Sequence, residues 1–356
     1  MAAPDLSVII VSWNVRDLLR ACLRSVLASQ LPLEVIVVDN ASADGTAAMV
    51  AQEFPQVRLI ANAENRGFTA GNNQGIALAQ GRYVFFLNPD TVVVGDALRT
   101  MIAYLDAHDD VGVVGPQLRY GDGRLQSSCR RFPTLWSALF ESTPLEWHWP
   151  GNPWARRYRM EDRLPISPAG EETATPSPPL AGEETPHPFS PPLAGEGSGE
   201  RSLPPKLGGP GGREVEVDWL VGAALMTRRE VLEQVGGFDE GYFMYSEELD
   251  WCRRVRQAGW RIVYLPAAQV VHYEGKSSEQ VVAARHIHFQ TSKVRYFRKF
   301  HGPLAAAVLR VFLLGAFVAE WGLEALKWLL GSKRPLRRAR MAAYAQLLQT
   351  GLRPQR

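Results

Sequence analysis

Short apolar runs and helix-spaced apolar residues alternate through the first 120 residues. Residues 7–11 form a β-rich apolar run, and residues 15–28 carry Leu18, Leu19, Cys22, Leu23 and Val26 at helical spacing. Residues 35–38 form a second buried-strand run that ends in the polar turn Asp39-Asn40-Ala41-Ser42. A helical pattern, a run at 57–60, a further helical pattern near 72–79 and a run at 83–87 follow, the last broken by Asn88-Pro89-Asp90. Strands alternating with helices predict a parallel sheet covered on both faces. Ligands of such sheets sit at the carboxyl ends of the strands, so the polar residues closing these runs are the ones to examine for chemistry.

Residues 165–213 differ in kind, holding 12 of the 25 prolines and nine of the 31 glycines. Ala169-Gly-Glu-Glu-Thr173 recurs at Ala181 to Thr185, and Pro178-Pro-Leu-Ala-Gly-Glu183 recurs at Pro191 to Glu196. Two copies of a short Pro/Gly/Glu unit cannot bury a core, which predicts a disordered insertion, with a partner-binding linker as the functional alternative. Beyond it, residues 215–221 suggest a strand, 227–235 and 247–258 helices, and 261–265 and 270–272 short strands. The expected organisation is a nucleotide-binding half at 1–164, the insertion at 165–213, a catalytic half at 214–284 and a helical tail at 285–356.

Charge changes the picture of that tail. The whole chain carries +2, yet residues 285–356 hold 14 Lys/Arg against Glu320 and Glu324, giving +12, while the first 284 residues carry −10. An acidic body argues against a nucleic-acid binder, whose working surface is basic. Residues 311–319 are uncharged between Arg310 and Glu320. This falls short of the about 20 apolar residues of a clean spanning helix. An interfacial helix is expected instead, with Trp321 and Trp328 at headgroup depth and the basic residues of 333–340 on anionic lipid; a protein–protein packing helix is the plainer alternative. Cys22, Cys129 and Cys252 are too dispersed for a disulfide or metal framework and suit a reducing cytosol. No signal peptide is expected, since an apolar strand pattern begins directly after Asp5.

Several polar residues are candidates for chemistry. Asp39 ends a strand, where a carboxylate either accepts hydrogen bonds from a nucleotide or simply forms a turn. Asp90 stands where a carboxylate can hold a divalent cation against a diphosphate, although Asn-Pro is equally a strand-ending turn. Asn65, Gly67 and Asn72 surround a helix start rich in amides and glycine, a weak phosphate-binding signal. Glu247-Glu248-Leu249-Asp250 crowds three acids into one helical turn that Ser246 is placed to cap. The helix dipole favours acids there by about 0.3–1 kcal/mol each. Their mutual repulsion raises at least one pKa toward the range of a general base. Arg253 and Arg254 are spaced to hold the others ionised, and His272 is a candidate second metal ligand.

Together these segments resemble family-2 inverting glycosyltransferases of the GT-A fold, in the rhamnosyltransferase-like branch. The resemblance runs from Leu6 to about Ser277 and is strongest over Asp218-Trp-Leu-Val-Gly-Ala-Ala-Leu-Met-Thr-Arg-Arg-Glu230 and Val235-Gly-Gly-Phe-Asp-Glu-Gly-Tyr-Phe-Met-Tyr-Ser-Glu-Glu-Leu-Asp250. Ser7 to Asn14, Val38 to Ser42 and Leu87 to Thr91 support it in order. It implies an α/β, Rossmann-like mixed sheet with helices on both faces. By the resemblance, Asp39 would read the base beside Ser12 and Asn14, while Asn65, Gly67, Asn72 and Asn88 frame the nucleotide sugar. Asp90 and His272 would hold Mg²⁺ or Mn²⁺, Glu248 would be the base with Glu247 and Asp250 as neighbours, and Trp219 and Gly222 would border the acceptor. Asn88 replaces the first acid of the family's DxD element, and Glu248 replaces a more usual Asp.

The expected reaction is transfer of a sugar, rhamnose by the branch, from a dTDP- or UDP-sugar to a glycan or lipid-linked acceptor in bacterial surface polysaccharide synthesis. The expected location is the cytoplasmic face of the inner membrane, with the tail as a peripheral anchor. A catalytically inactive sugar-nucleotide-binding scaffold is the alternative from another class. A nucleotidyltransferase would need a basic, Gly-rich loop that residues 12–17 do not supply.

Overall fold

The computed structural model describes residues 4–141, 143–163, 213–273, 282–331 and 333–353; the expected insertion at 165–213 lies outside them apart from its last residue. The N-terminal half opens with β1 (Leu6–Ser12), α1 (Arg16–Leu27), β2 (Leu33–Asp39), α2 (Thr46–Glu53), β3 (Arg58–Ala61), α3 (Gly67–Leu78) and β4 (Tyr83–Leu87). It continues through β5 (Thr91–Val94), α4 (Ala97–Ala107), β6 (Val111–Arg119) and β7 (Cys129–Arg130) to three short helices, α5 (Leu135–Phe140), α6 (Pro144–His148) and α7 (Pro153–Tyr158). Then come β8 (Val215–Glu216), β9 (Trp219–Leu220), β10 (Ala224–Arg228), α8 (Arg229–Val235), α9 (Glu247–Gln257), β11 (Arg261–His272), α10 (Val282–Leu329) and α11 (Arg334–Thr350).

The main sheet runs β3-β2-β1-β4-β10-β6-β11-β5, with β8 added on β11. β3, β2, β1 and β4 are parallel, as the alternating pattern predicts. β10 enters antiparallel between β4 and β6, and β5 pairs antiparallel with β11, so the sheet is mixed. Its strands are near-continuous apolar runs because both faces are covered. Val8, Ile10, Val35 and Val37 point into one core with Leu19, Met49 and Met101 of α1, α2 and α4. Ile9, Ile36, Val84 and Phe86 point into the other, with Val231, Trp251 and Phe297 of α8, α9 and α10.

The structure corrects several expected elements. Residues 215–221 are not one strand: β8 joins the main sheet and β9 pairs with β7 in a separate ribbon. β10 went unanticipated because residues 227 and 228, assigned to a helix, instead end a strand whose short buried run has no distinctive period. The two short strands at 261–265 and 270–272 are one strand, β11, with a register shift between Leu265 and Gln269. Ser246 has a left-handed φ of 64° and makes no side-chain cap to α9, so the cap expected there is absent.

The tail also differs. α10 kinks at Gly302 (φ 88°), ahead of Pro303. Within Ala284–Leu329 an 18-residue window reaches a mean hydropathy of 2.0, so this helix is long and apolar enough to cross a membrane by length and composition. The expectation of too short an apolar stretch treated Arg310 and Glu320 as boundaries, whereas the helix runs through both. Leu304, Val308, Val311, Val318, Leu326 and Leu329 form an exposed stripe at spacings of a helix face. α11 packs back on α10, where Arg337 and Arg340 pair with buried Glu324 at 2.8 and 3.5 Å.

Candidate active site

The carboxyl ends of β1 and β4, the turn before β5, the start of α9 and the end of β11 surround one cavity of about 420 Å³. Ser12, Asn65, Gly67, Asn88, Asp90, Gly222, Glu247, Glu248 and His272 all line it. The strand topology explains why residues 182 apart in sequence meet at its floor. β5 pairs with β11 so that Thr91 faces His272, and the Tyr273 amide donates to the Asp90 carbonyl at 2.9 Å. Thr91 Oγ1 donates to the Asn88 carbonyl at 2.7 Å, closing the turn that aims Asp90 inward.

His272 Nε2 lies 3.4 Å from Asp90 Oδ1 and 3.5 Å from Asn88 Nδ2. Its Nδ1 is 3.0 Å from Gln126 Oε1, an acceptor, which assigns a proton to Nδ1 and turns Nε2 toward Asp90. Asn88 Oδ1 is buried without a hydrogen-bond partner. No group of three or more His, Cys, Asp or Glu arranged for a metal occurs among the described residues. Two protein ligands nevertheless suit a hard cation that keeps waters and phosphate oxygens, and 3.4 Å is near the about 3 Å between adjacent octahedral ligands of such an ion.

Glu247 and Glu248 line the same cavity from the start of α9, where Tyr245 and Ser246, both with left-handed φ, swing the chain into the helix. Gly222 N donates to Glu248 Oε1 at 3.4 Å, and the second oxygens of both glutamates have no partner. Burial raises the pKa of both, and for Glu247 the neighbouring Glu248 charge adds to it, whereas backbone amides, Gly222's among them, act to lower that of Glu248. Both carboxyls therefore stand above the ordinary carboxylate range, Glu247 the further of the two.

Other candidates fall elsewhere. Asp250 is fully buried and does not line the cavity: it accepts from Tyr242 Oη at 3.1 Å and Arg254 Nε at 2.9 Å, and pairs with Lys299 at 2.6 Å. Arg254 thus pairs with Asp250, while Arg253 turns away to Tyr296. Asn72 donates back to the Phe68 carbonyl within α3, and Trp219 donates to the Arg131 carbonyl; neither reaches the cavity wall. Asn14 binds the 42–43 turn at 2.9 and 2.7 Å rather than lining the pocket. Asp39 does not line the cavity either: its Oδ2 accepts from the Ser42 amide at 3.1 Å, as the turn reading expects, while Oδ1 is buried and unpartnered.

The sequence reasoning missed Gln126, and it missed Arg285 and His288, which line the cavity from the first turns of α10. Arg285 was assigned to the tail on charge alone; the expected boundary at 284/285 cuts through the site. Only its position after a strand ending in His272 pointed to it.

Profile comparison matches residues 7–160 to Glycosyl transferase family 2 and residues 211–286 to Glycosyltransferase like family 2, together more than half of the chain. The N-acetylglucosaminyl-diphospho-decaprenol L-rhamnosyltransferase of Mycobacterium tuberculosis is 29% identical over 301 residues, 82% of each chain. Rhamnosyltransferase WbbL of Escherichia coli K12 is 46% identical over 57 residues, 16% of this chain and 22% of that one. A mannosyltransferase from Pyrobaculum calidifontis, solved with GDP-Man and Mn²⁺, superposes with a TM-score of 0.50 at 17% identity, covering 99% of this chain and 88% of that one. GalNAc-T7, solved with UDP, GalNAc and Mn²⁺, gives 0.51 at 14% identity over 83% of this chain and 48% of its own.

Proposed function

The chain belongs to glycosyl transferase family 2, with the GT-A fold and a place in bacterial cell-surface glycan synthesis, and from that premise we propose that it is an inverting, metal-dependent rhamnosyltransferase acting on a lipid-linked acceptor. The observation that carries this reading is that Asp90, His272 and Glu248 line one cavity. The mycobacterial relative, named for rhamnosyl transfer to a diphospho-decaprenol, supports both sugar and acceptor class. dTDP-rhamnose is the donor proposed, with a UDP-sugar as the alternative.

In this reading Ser12, Asn65 and Asn40 receive the nucleoside end of the donor, helped by Asp39 Oδ1 behind them. Asp90 and His272 Nε2 would hold Mg²⁺ or Mn²⁺, which offsets the charge of a departing nucleoside diphosphate. Arg285 adds a guanidinium to the same end, where Asn88 brings no charge. Glu248 takes the proton from an acceptor hydroxyl as that oxygen bonds to the anomeric carbon and the bond to the diphosphate breaks. Attack opposite the leaving group inverts configuration without a carboxylate nucleophile. In this reading Glu247 carries the proton of the pair, because its carboxyl is the further raised, and does not compete as a base. α10 and α11 are proposed to rest on the membrane, on its cytoplasmic face.

The test is a panel of nucleotide sugars with a prenyl-diphosphate-linked acceptor, with and without Mn²⁺, scored for nucleoside diphosphate release. Release specific to dTDP-rhamnose and dependent on Mn²⁺ supports the reading. Tight donor binding with no release from any sugar overturns it.

A further inference from the structure

α5–α7 carry a surface that the catalytic reading does not use. Trp136, Trp149 and Trp154 are 61%, 50% and 37% exposed on these short helices, and Leu145 beside them is 42% exposed. The rings are not loose. Trp136 stacks on Trp154 with centroids 6.0 Å apart, Trp154 stacks on Phe140 at 5.2 Å, and Trp149 meets Trp154 edge-on at 5.8 Å. Soluble surfaces scatter single apolar residues; a packed and exposed aromatic cluster marks an interaction site.

Charge identifies the partner. Arg156, Arg157 and Arg163 are exposed on the same segment. Arg157 and Arg163 have no carboxylate partner among the described residues, while the neighbouring acids are engaged: Glu146 with Arg159, Glu161 with Arg156 and Asp162 with Arg131. Tryptophan with unpaired arginine is the composition of protein surfaces that seat in the headgroup layer of an anionic bilayer. The cluster also adjoins the tail. α5 packs on α10, and burial raises the Glu320 carboxyl of α10 while the His148 charge is near enough to act on it in the opposite sense.

We propose that the Trp136–Trp149–Trp154 face of α5–α7 docks on an anionic lipid surface, forming a second membrane contact beside the apolar stripe of α10. This rests on the proposed membrane association of the tail. It has a consequence for the site, because α7 ends in Tyr158, whose ring lies 6.2 Å from that of Trp219 and whose hydroxyl feels the Glu248 charge. A face seated on lipid would bring the catalytic cavity to the plane in which a lipid-linked acceptor moves.

The experiment is vesicle co-sedimentation of the full chain, using phosphatidylcholine with and without phosphatidylglycerol. The variants are Trp136→Ser/Trp149→Ser and Arg157→Glu/Arg163→Glu, each checked for parent-like melting and nucleoside diphosphate affinity. The parent is expected to bind the phosphatidylglycerol vesicles, with binding weakened about tenfold in each double variant. Parent-like binding by both variants overturns the proposal and leaves the tail as the membrane contact. A parent that binds neither vesicle overturns the tail reading as well. A change of oligomeric state in the variants would assign the face to a second copy of the chain and also overturn it.

Discussion

His272 Nε2 stands 3.4 Å from Asp90 Oδ1 because β5 turns back from the DxD-like element and pairs antiparallel with the end of β11. The imidazole is oriented from behind by Gln126. Removing an oriented ligand's supporting partner typically costs 10–100-fold in metal affinity. Gln126→Leu is therefore expected to raise the Mn²⁺ concentration needed for half-maximal activity by about tenfold, and His272→Gln by more. Titration of activity with Mn²⁺ checks both, and an unchanged Mn²⁺ requirement in His272→Gln contradicts the assignment.

The two glutamates are expected to separate kinetically. Glu248→Gln should lower kcat by about 10²–10⁴-fold with donor affinity retained. Glu247→Gln, which copies the protonated state, should keep most of the activity. Because burial raises the Glu248 pKa, activity should fall as pH drops through a value above the ordinary carboxylate range. A pH–rate profile flat down to the usual carboxylate range would contradict the assignment of the base.

Glu247 also has a signed effect on stability. Its folded pKa lies above the unfolded one, so its contribution is full below the unfolded pKa and is lost as pH rises through the folded value. Glu247→Gln should therefore melt higher than the parent at neutral pH, each kcal/mol regained being worth about 2–4 °C, and should match it in acid. Melting curves at the two pH values decide this.

Gly67 has a φ of +86°, and a Cβ there would stand 2.7 Å from both the Phe243 ring and its carbonyl oxygen. Gly67→Ala should cost on the order of 1–3 kcal/mol and displace the 243–245 wall of the cavity, weakening donor binding. Denaturant unfolding and donor titration measure the two effects.

Arg285 lines the cavity with no ion pair among the described residues. Arg285→Ala should weaken nucleoside diphosphate binding by about 10- to 100-fold and leave nucleoside binding nearly unchanged, with Arg285→Lys in between. Calorimetry with dTDP and thymidine tests this; equal losses for both ligands would point to a collapsed pocket instead.

Much of this architecture was legible in the sequence where local pattern and tertiary role agree. The fully apolar run at Tyr83 to Leu87 is a strand because both its faces meet helices. Ser12, Asn40 and Asn88, which close such runs, line the cavity, as the parallel topology requires, whereas Asp39 and Asn14 do not. Asp90, His272 and Glu248 were legible through motif order, yet their convergence depends on β10 and on the antiparallel return of β5, which no local period encodes. Asp250 shows the limit from the other side. Its place in an acidic cluster suggested catalysis, whereas Tyr242, Arg254 and Lys299 consume its oxygens. Arg285 was hidden because net charge described its helix as a tail, and only the docking of α10 on the 243–245 wall, where His288 stacks on Phe243 and Ser292 donates to the Met244 carbonyl, brings its first turns to the cavity.

The account rests on a cation site facing a base across one cavity. Anomalous scattering at the manganese edge, from crystals grown with Mn²⁺ and dTDP, tests it most directly. A single strong peak within bonding distance of an Asp90 carboxylate oxygen and His272 Nε2, on the side of the cavity away from Glu248, is the result expected. A peak bound instead by Glu247 and Glu248 would contradict it, since the proposed base would then be a metal ligand.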